Sequence, residues 1–76
     1  MTRDVLTAWS RSFLAGLLEL PPEQVAPEAS FASLGLDSAK SVQFVLALED
    51  LLGTELDPEI VERHDSIAAL AEHLAR

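Results

Sequence analysis

Apolar residues return every three or four positions along most of the chain, and they fall into separate runs. Val5, Trp9, Phe13 and Leu17 recur every fourth residue, with Leu6, Leu14 and Leu20 widening the stripe. That spacing predicts a first helix from about Arg3 to Leu20. Thr2 stands at its N-cap, Asp4 lies in its first turn beside the positive end of the helix dipole, and Pro21-Pro22 ends it. A second helix is expected from about Ser38 to Leu52. Val42, Val45, Leu46, Glu49 and Leu52 mark one face, and Phe44, Leu48 and Leu51 make most of the remaining circumference apolar. Such a helix is either central in a bundle or offers part of its surface to a partner. Gly53 suits the residue that closes it.

Asp57-Pro58-Glu59 combines an N-cap, a proline at the first helical position and an early acid. It opens a short helix from Pro58 to about Arg63, with Ile60 and Val61 facing inward. Asp65 or Ser66 then caps a last helix to about Ala75, whose Ile67, Leu70, Ala71 and Leu74 form a narrow seam. Residues 21–37 show no clear period. Pro21, Pro22, Pro27 and Gly35 make them a long connection, and Val25, Phe31, Leu34 and Leu36 are spaced like anchors that pin an ordered loop to the core. The expected fold is all-α: a small four-helix bundle of three main antiparallel helices and one short one, with a long loop after the first. One domain over residues 1–76 accounts for the whole chain. Trp9 sits in the first stripe and reads as core.

Composition narrows the chemistry. Seventy-six residues lie near the lower limit for a core without disulfides or metal. The absence of cysteine excludes a disulfide framework, a thiolate nucleophile and a cysteine-based metal site. The two histidines, His64 and His73, are nine positions apart, a poor spacing for a pair of zinc ligands on one helix. His64 fits a loop between helices and His73 a solvated face, and no metal site is expected. The net charge of −8, with five scattered basic residues, argues against nucleic acid. It fits a protein partner with a basic surface, or simply solubility. No apolar stretch approaches the ~20 residues of a membrane span, and the N-terminus lacks a signal-peptide pattern, so a cytoplasmic monomer is expected. The start at Met1 slightly favours a free-standing protein.

Leu36-Asp37-Ser38-Ala39 follows Gly35 and precedes the longest apolar run, which puts a serine hydroxyl at the mouth of a helix. A catalytic role for Ser38 needs an oriented base, and neither a histidine nor a lysine motif nor a Gly-x-Ser-x-Gly elbow supplies one. As an N-cap, Ser38 has an ordinary structural explanation worth ~1 kcal/mol. As an acceptor, it offers a hydroxyl beside unpaired backbone N–H groups, where an attached phosphate is favoured by the dipole. Asp37 opposes free phosphate, so the position fits better as one where another enzyme installs a group.

Gly35-Leu36-Asp37-Ser38 resembles the attachment motif of acyl and peptidyl carrier proteins. Phe31-Ala32-Ser33-Leu34 is similar to the family's lead-in. Ala47-Leu48-Glu49-Asp50 with Thr54-Glu55-Leu56 looks like the end of its second helix and the start of the following loop. Residues 66–74 resemble the last helix of polyketide and non-ribosomal-peptide carriers. The resemblance implies that Ser38 carries 4′-phosphopantetheine, transferred from coenzyme A by a magnesium-dependent phosphopantetheinyl transferase, with Asp37 assisting. It implies a non-catalytic carrier whose arm supplies the thiol that this chain lacks. Partners would be an acyltransferase, a ketosynthase or an adenylating enzyme.

Two features depart from the family pattern. Ala39 stands where leucine usually follows the serine, and Lys40-Ser41-Val42-Gln43 replaces the more acidic start of fatty-acid carriers. The reading is therefore an acyl carrier of polyketide or mixed polyketide–peptide biosynthesis. Alternatives are a peptidyl carrier, or an unloaded docking module on the same fold. Leu36, Ala39, Lys40, Phe44, Val45, Glu49 and Asp50 are expected to form the surface that partners touch.

Overall fold

The structure is a computed structural model, and it describes residues 1–75. Helix α1 spans Arg3–Leu18, α2 Phe31–Leu34, α3 Ser38–Leu52, α4 Ile60–Arg63 and α5 Ile67–Leu74, with a single 3₁₀ turn at Pro22–Gln24. The fold is all-α, as the periodicity predicts, and the second helix of the sequence reading is α3. The long connection holds one element that periodicity could not reveal. Phe31–Leu34 makes one α-turn, too short to carry a repeating pattern.

The first helix ends two residues earlier than expected. Glu19 turns into the left-handed region (φ 57°), its N–H and that of Leu20 bond back to Gly16 and Ala15, and the helix stops before the prolines act. At the other end Thr2 Oγ1 accepts from the Val5 N–H at 3.2 Å. The stripe is also rotated from the expected one. Leu6, Ser10, Leu14 and Ala15 are its buried centre, Trp9, Phe13 and Leu17 form its half-buried edge, and Val5 is 51% exposed. Neighbouring positions differ by about 100° around a helix. Because α1 packs chiefly on α5, the Leu6–Leu14 line faces inward and the aromatic line faces α3.

Phe44 of α3 is fully buried at the centre of that packing. Phe31 meets it edge-on at 5.6 Å, Phe13 stacks on it at 5.9 Å and Trp9 at 6.3 Å. Offset and edge-to-face pairs of this kind add about 0.5–1.5 kcal/mol each beyond burial. Val25, Leu48, Ile67 and Leu70 close the core around them.

The long connection is held by polar as well as apolar anchors. Val25 and Phe31 are buried, and Leu34 and Leu36 are half-buried. Arg11 donates from Nε to the Val25 carbonyl (3.1 Å) and from Nη2 to the Pro22 carbonyl (3.0 Å), clasping the loop to α1. The Phe31 N–H donates to the Asp65 carbonyl (2.8 Å) and the Ala68 N–H to the Pro27 carbonyl (2.9 Å), so α2 is tied to the start of α5.

One helix start shifts and the other is settled between its two candidate caps. Asp57 does open the turn before α4, accepting the Glu59 N–H on Oδ1 (2.9 Å) and the Ile60 N–H on its carbonyl (3.0 Å). The α-helix itself begins at Ile60, so Pro58 lies in the turn and is not a helical residue. Of the two candidate caps for α5, Ser66 serves, its Oγ accepting from Ala69 N–H at 3.1 Å. The helix runs to Leu74, with Ala75 as its C-cap.

Candidate functional site

The segment from Phe31 to Ser41 is built by three successive stop and start signals. Ser30 caps α2, its Oγ accepting the Ser33 N–H at 3.1 Å. Gly35 then closes that turn at φ 98°, a left-handed conformation that side chains rarely adopt. The Leu36 N–H returns to the Phe31 carbonyl at 3.0 Å, and its side chain is half-buried against the core. Asp37 is the N-cap of α3, with Oδ1 accepting the Lys40 N–H at 2.8 Å and its carbonyl accepting the Ser41 N–H at 2.8 Å.

Ser38 is therefore the first residue inside α3 and not its cap. The capping explanation that the sequence permitted belongs to Asp37 instead, because a carboxylate one residue earlier reaches the same amides. Ser38 is exposed, and its hydroxyl stands beside the unpaired N–H groups of a 15-residue helix. A phosphodiester on Ser38 Oγ would lie at the positive end of that helix, with no change in the hydrogen bonds that start it. The residues present fit such a group.

Beside Ser38 a cleft of about 500 Å³ opens between the start of α3 and α4. Ser30, Phe31, Leu36, Val42, Val61 and Glu62 are among its walls. Farther along α3 a smaller, nearly apolar hollow of about 150 Å³ is lined by Val42, Val45, Leu46, Glu49, Leu56 and Pro58.

The expected partner surface divides. Ala39 and Asp50 are exposed, and Lys40 and Leu36 are half-buried. Phe44 and Val45 are not on the surface, being 0% and 6% exposed, because α3 turns that side into the core. Their place is taken by Val42 and Leu46, which are 57% and 58% exposed. The apolar circumference of α3 was visible in the sequence, but not which side the bundle covers. Glu49, expected on the partner surface, has a structural role as well. It is half-buried and its Oε2 accepts the Leu56 N–H at 2.7 Å, pinning the connection after α3.

His64 and His73 come together although they are far apart in sequence. Their rings stack at 4.1 Å between α4 and α5 and line a hollow separate from Ser38. His73 is exposed, as its position off the seam predicts. Among the described residues, no group of three or more His, Cys, Asp or Glu side chains is arranged to hold a metal ion. No helix there is long and apolar enough to cross a membrane.

Comparison with known proteins gives a consistent set of matches. The family model described as phosphopantetheine attachment site matches residues 11–74. The polyketide synthase PksM of Bacillus subtilis is 40% identical over 65 residues, which are 86% of this chain but 2% of that protein. An acyl carrier protein of Thermosynechococcus vestitus is 43% identical over 54 residues, 70% of this chain and 67% of that protein. Among solved structures, a free-standing peptidyl carrier protein from an Acinetobacter baumannii secondary metabolic pathway superimposes with a TM-score of 0.91. It is 34% identical, over 96% of this chain and 91% of that one.

Proposed function

Because this chain belongs to the phosphopantetheine attachment-site family, a family of carrier domains, we propose that Ser38 is the residue that bears the covalent arm. The family is defined by covalent attachment of phosphopantetheine, and its members are in general non-catalytic. The observation that carries the assignment to Ser38 is the division of labour at the start of α3. Asp37 caps the helix through Lys40, and the adjacent serine hydroxyl is left exposed at the helix N-terminus.

Loading would join Ser38 Oγ to the phosphorus nearest the pantetheine of coenzyme A. The pyrophosphate bond breaks, the adenosine bisphosphate portion leaves, and the serine proton passes to a base of the magnesium-dependent transferase. The arm brings the thiol that a chain without cysteine cannot provide. Acyl intermediates are then carried as thioesters, and the tether holds them at high effective concentration near a partner's active site. The need for coenzyme A supports a cytoplasmic location.

Carrier domains of polyketide synthases work with catalytic partner domains. For this chain the exposed side of α3 suits that contact: Ala39 beside the arm, Lys40, Val42, Leu46 and Asp50. Ala39 is small and exposed, so a partner approaching Ser38 meets little side-chain bulk there. Identity to polyketide synthase and acyl carrier relatives supports an acyl carrier of polyketide or mixed polyketide–peptide biosynthesis. The close superposition on a peptidyl carrier supports a second reading, an aminoacyl cargo delivered by an adenylating enzyme.

Incubation with coenzyme A, magnesium and a permissive transferase tests the proposal, with intact mass as the readout. One pantetheinyl adduct on the wild type and none on Ser38→Ala is the expected result. Equal loading of both overturns it. Challenging the loaded protein with an acyltransferase, a ketosynthase pair or an adenylating enzyme then separates the two cargo classes.

A further inference from the structure

His64 and His73 take no part in the attachment site or in the apolar core. Their ring centroids are 4.1 Å apart and their planes differ by 18°, so the rings lie face on face. His64 is the C-cap of α4, its N–H donating to the Ile60 carbonyl at 3.0 Å. His73 stands in the last turn of α5. The stack is therefore a side-chain contact between the two helices. Two other contacts connect this corner with the start of α3. Val61 and Glu62 of α4 wall the cleft beside Ser38. Asp65, directly after His64, accepts the Phe31 N–H on its carbonyl at 2.8 Å.

We propose that the stack is a proton-operated latch between α4 and α5, closed while at most one ring is charged and opened when both are. The inference does not depend on what Ser38 carries. Histidine changes charge between about pH 8 and 5. His64 is half-buried and His73 exposed, so both rings are open to protons from solvent. One positive charge over a neutral aromatic face is attractive, and the first proton leaves the stack closed. A second puts two like charges face to face at the same separation, where they repel.

The surroundings supply little to hold two charges together. The hollow around the rings receives charged groups from Met1, whose amino group is a cation, from Glu55 and Asp57 on the connection after α3, and from Arg63 of α4. From α3 it receives only Leu51 and Leu52. Asp57 is engaged by Arg63 at 3.0 Å. Glu72, beside His73 in sequence, lines a different hollow with Arg3 and Asp4 at the start of α1. Asp65 lines the cleft on the Ser38 side. Among the described residues this leaves Glu55 as the one carboxylate lining the histidine hollow without a salt bridge. The open form binds one proton more than the closed form, so a falling pH favours opening, by at most about tenfold per pH unit. Opening is local: it releases the end of α4 while α1 keeps its packing.

NMR of the full, unloaded chain between pH 7.5 and 5.0 tests the latch. Cross-relaxation between the His64 and His73 ring protons is expected at pH 7.5 and should fall at least about threefold by pH 5.0. Protection of the Arg63 amide from exchange, corrected for the intrinsic rate, should fall about three- to tenfold, with Leu14 in α1 steady to within about twofold. His73→Phe, at an exposed position, and His64→Phe each keep two stacked aromatic faces with a single ionisable ring, and both should abolish the pH dependence. A wild-type stack that persists at pH 5.0 overturns the inference, as does an undiminished pH dependence in either phenylalanine variant. Equal loss of protection at Leu14 also overturns it, since that is acid unfolding of the whole bundle.

Discussion

Asp37 accepts the Lys40 backbone N–H at 2.8 Å and so begins α3, one residue before the serine that is the candidate attachment point. Structure and chemistry are assigned to adjacent side chains. Ser38→Ala should therefore change stability by no more than about 0.5 kcal/mol, the range of a surface substitution. Asp37→Ala should cost about 1 kcal/mol, the usual loss for an N-cap. Urea denaturation of the two variants checks this. A Ser38→Ala loss equal to that of Asp37→Ala would show that the serine also holds the helix.

Glu49 is the second residue whose work is structural. Its Oε2 accepts the Leu56 N–H at 2.7 Å in a half-buried setting and fixes the connection between α3 and α4. Glu49→Ala should destabilise by about 1–2 kcal/mol, since an amide loses a charged acceptor. Glu49→Gln should recover part of that loss. Thermal melts of both variants, with the Leu56 amide followed by hydrogen exchange, provide the comparison.

Arg11 clasps the long connection through the carbonyls of Val25 and Pro22 at 3.1 and 3.0 Å. Lysine offers one nitrogen on a flexible stem in place of the two fixed nitrogens of the guanidinium fork. Arg11→Lys and Arg11→Ala should both lower stability, by about 0.5–2 kcal/mol, with alanine worse. Faster amide exchange at Val25 and Ala26 should accompany the loss. An unchanged exchange pattern contradicts a clasp.

Glu19 closes α1 at φ 57°, a conformation costing about 1 kcal/mol or more for a residue with a Cβ. Glycine removes that strain but loosens the unfolded chain. Glu19→Gly is expected to stabilise by a net of about 0.5–1 kcal/mol. A lower denaturation midpoint would mean that the Glu19 side chain contributes more than its backbone conformation costs.

Val42 and Leu46 form the exposed apolar side of α3. Val42→Asp and Leu46→Asp should leave the helical signal intact, with stability within about 1 kcal/mol of wild type. Transfer of a loaded acyl group to or from a cognate partner domain should fall by tenfold or more if about 1.4 kcal/mol of contact is lost. Unimpaired transfer in both variants removes this face from the partner surface.

Placement of the three long helices, the Gly53 and Thr2 caps and the Ile67–Leu70–Ala71 seam were legible because each depends on local pattern. What tertiary packing decides was not. The sequence shows α3 apolar nearly all round, but only the position of α1 and α5 determines that Phe44 and Val45 go inward and Val42 and Leu46 stay outside. The true centre of the α1 stripe was obscured because Ser10, a polar residue, lies in it. The His64–His73 stack was invisible because it joins two helices at a spacing that no single helix produces. At the site itself, Gly35, Leu36 and Asp37 each prove to have a structural task, so the motif is a scaffold around the candidate attachment point.

The most direct test is tandem mass spectrometry of peptides from protein incubated with coenzyme A, magnesium and a permissive transferase. A single pantetheinyl phosphodiester is expected, located on Ser38, with Ser30, Ser33 and Ser41 unmodified. An adduct on any other residue, or a fully folded protein that takes up none, would contradict the assignment to Ser38.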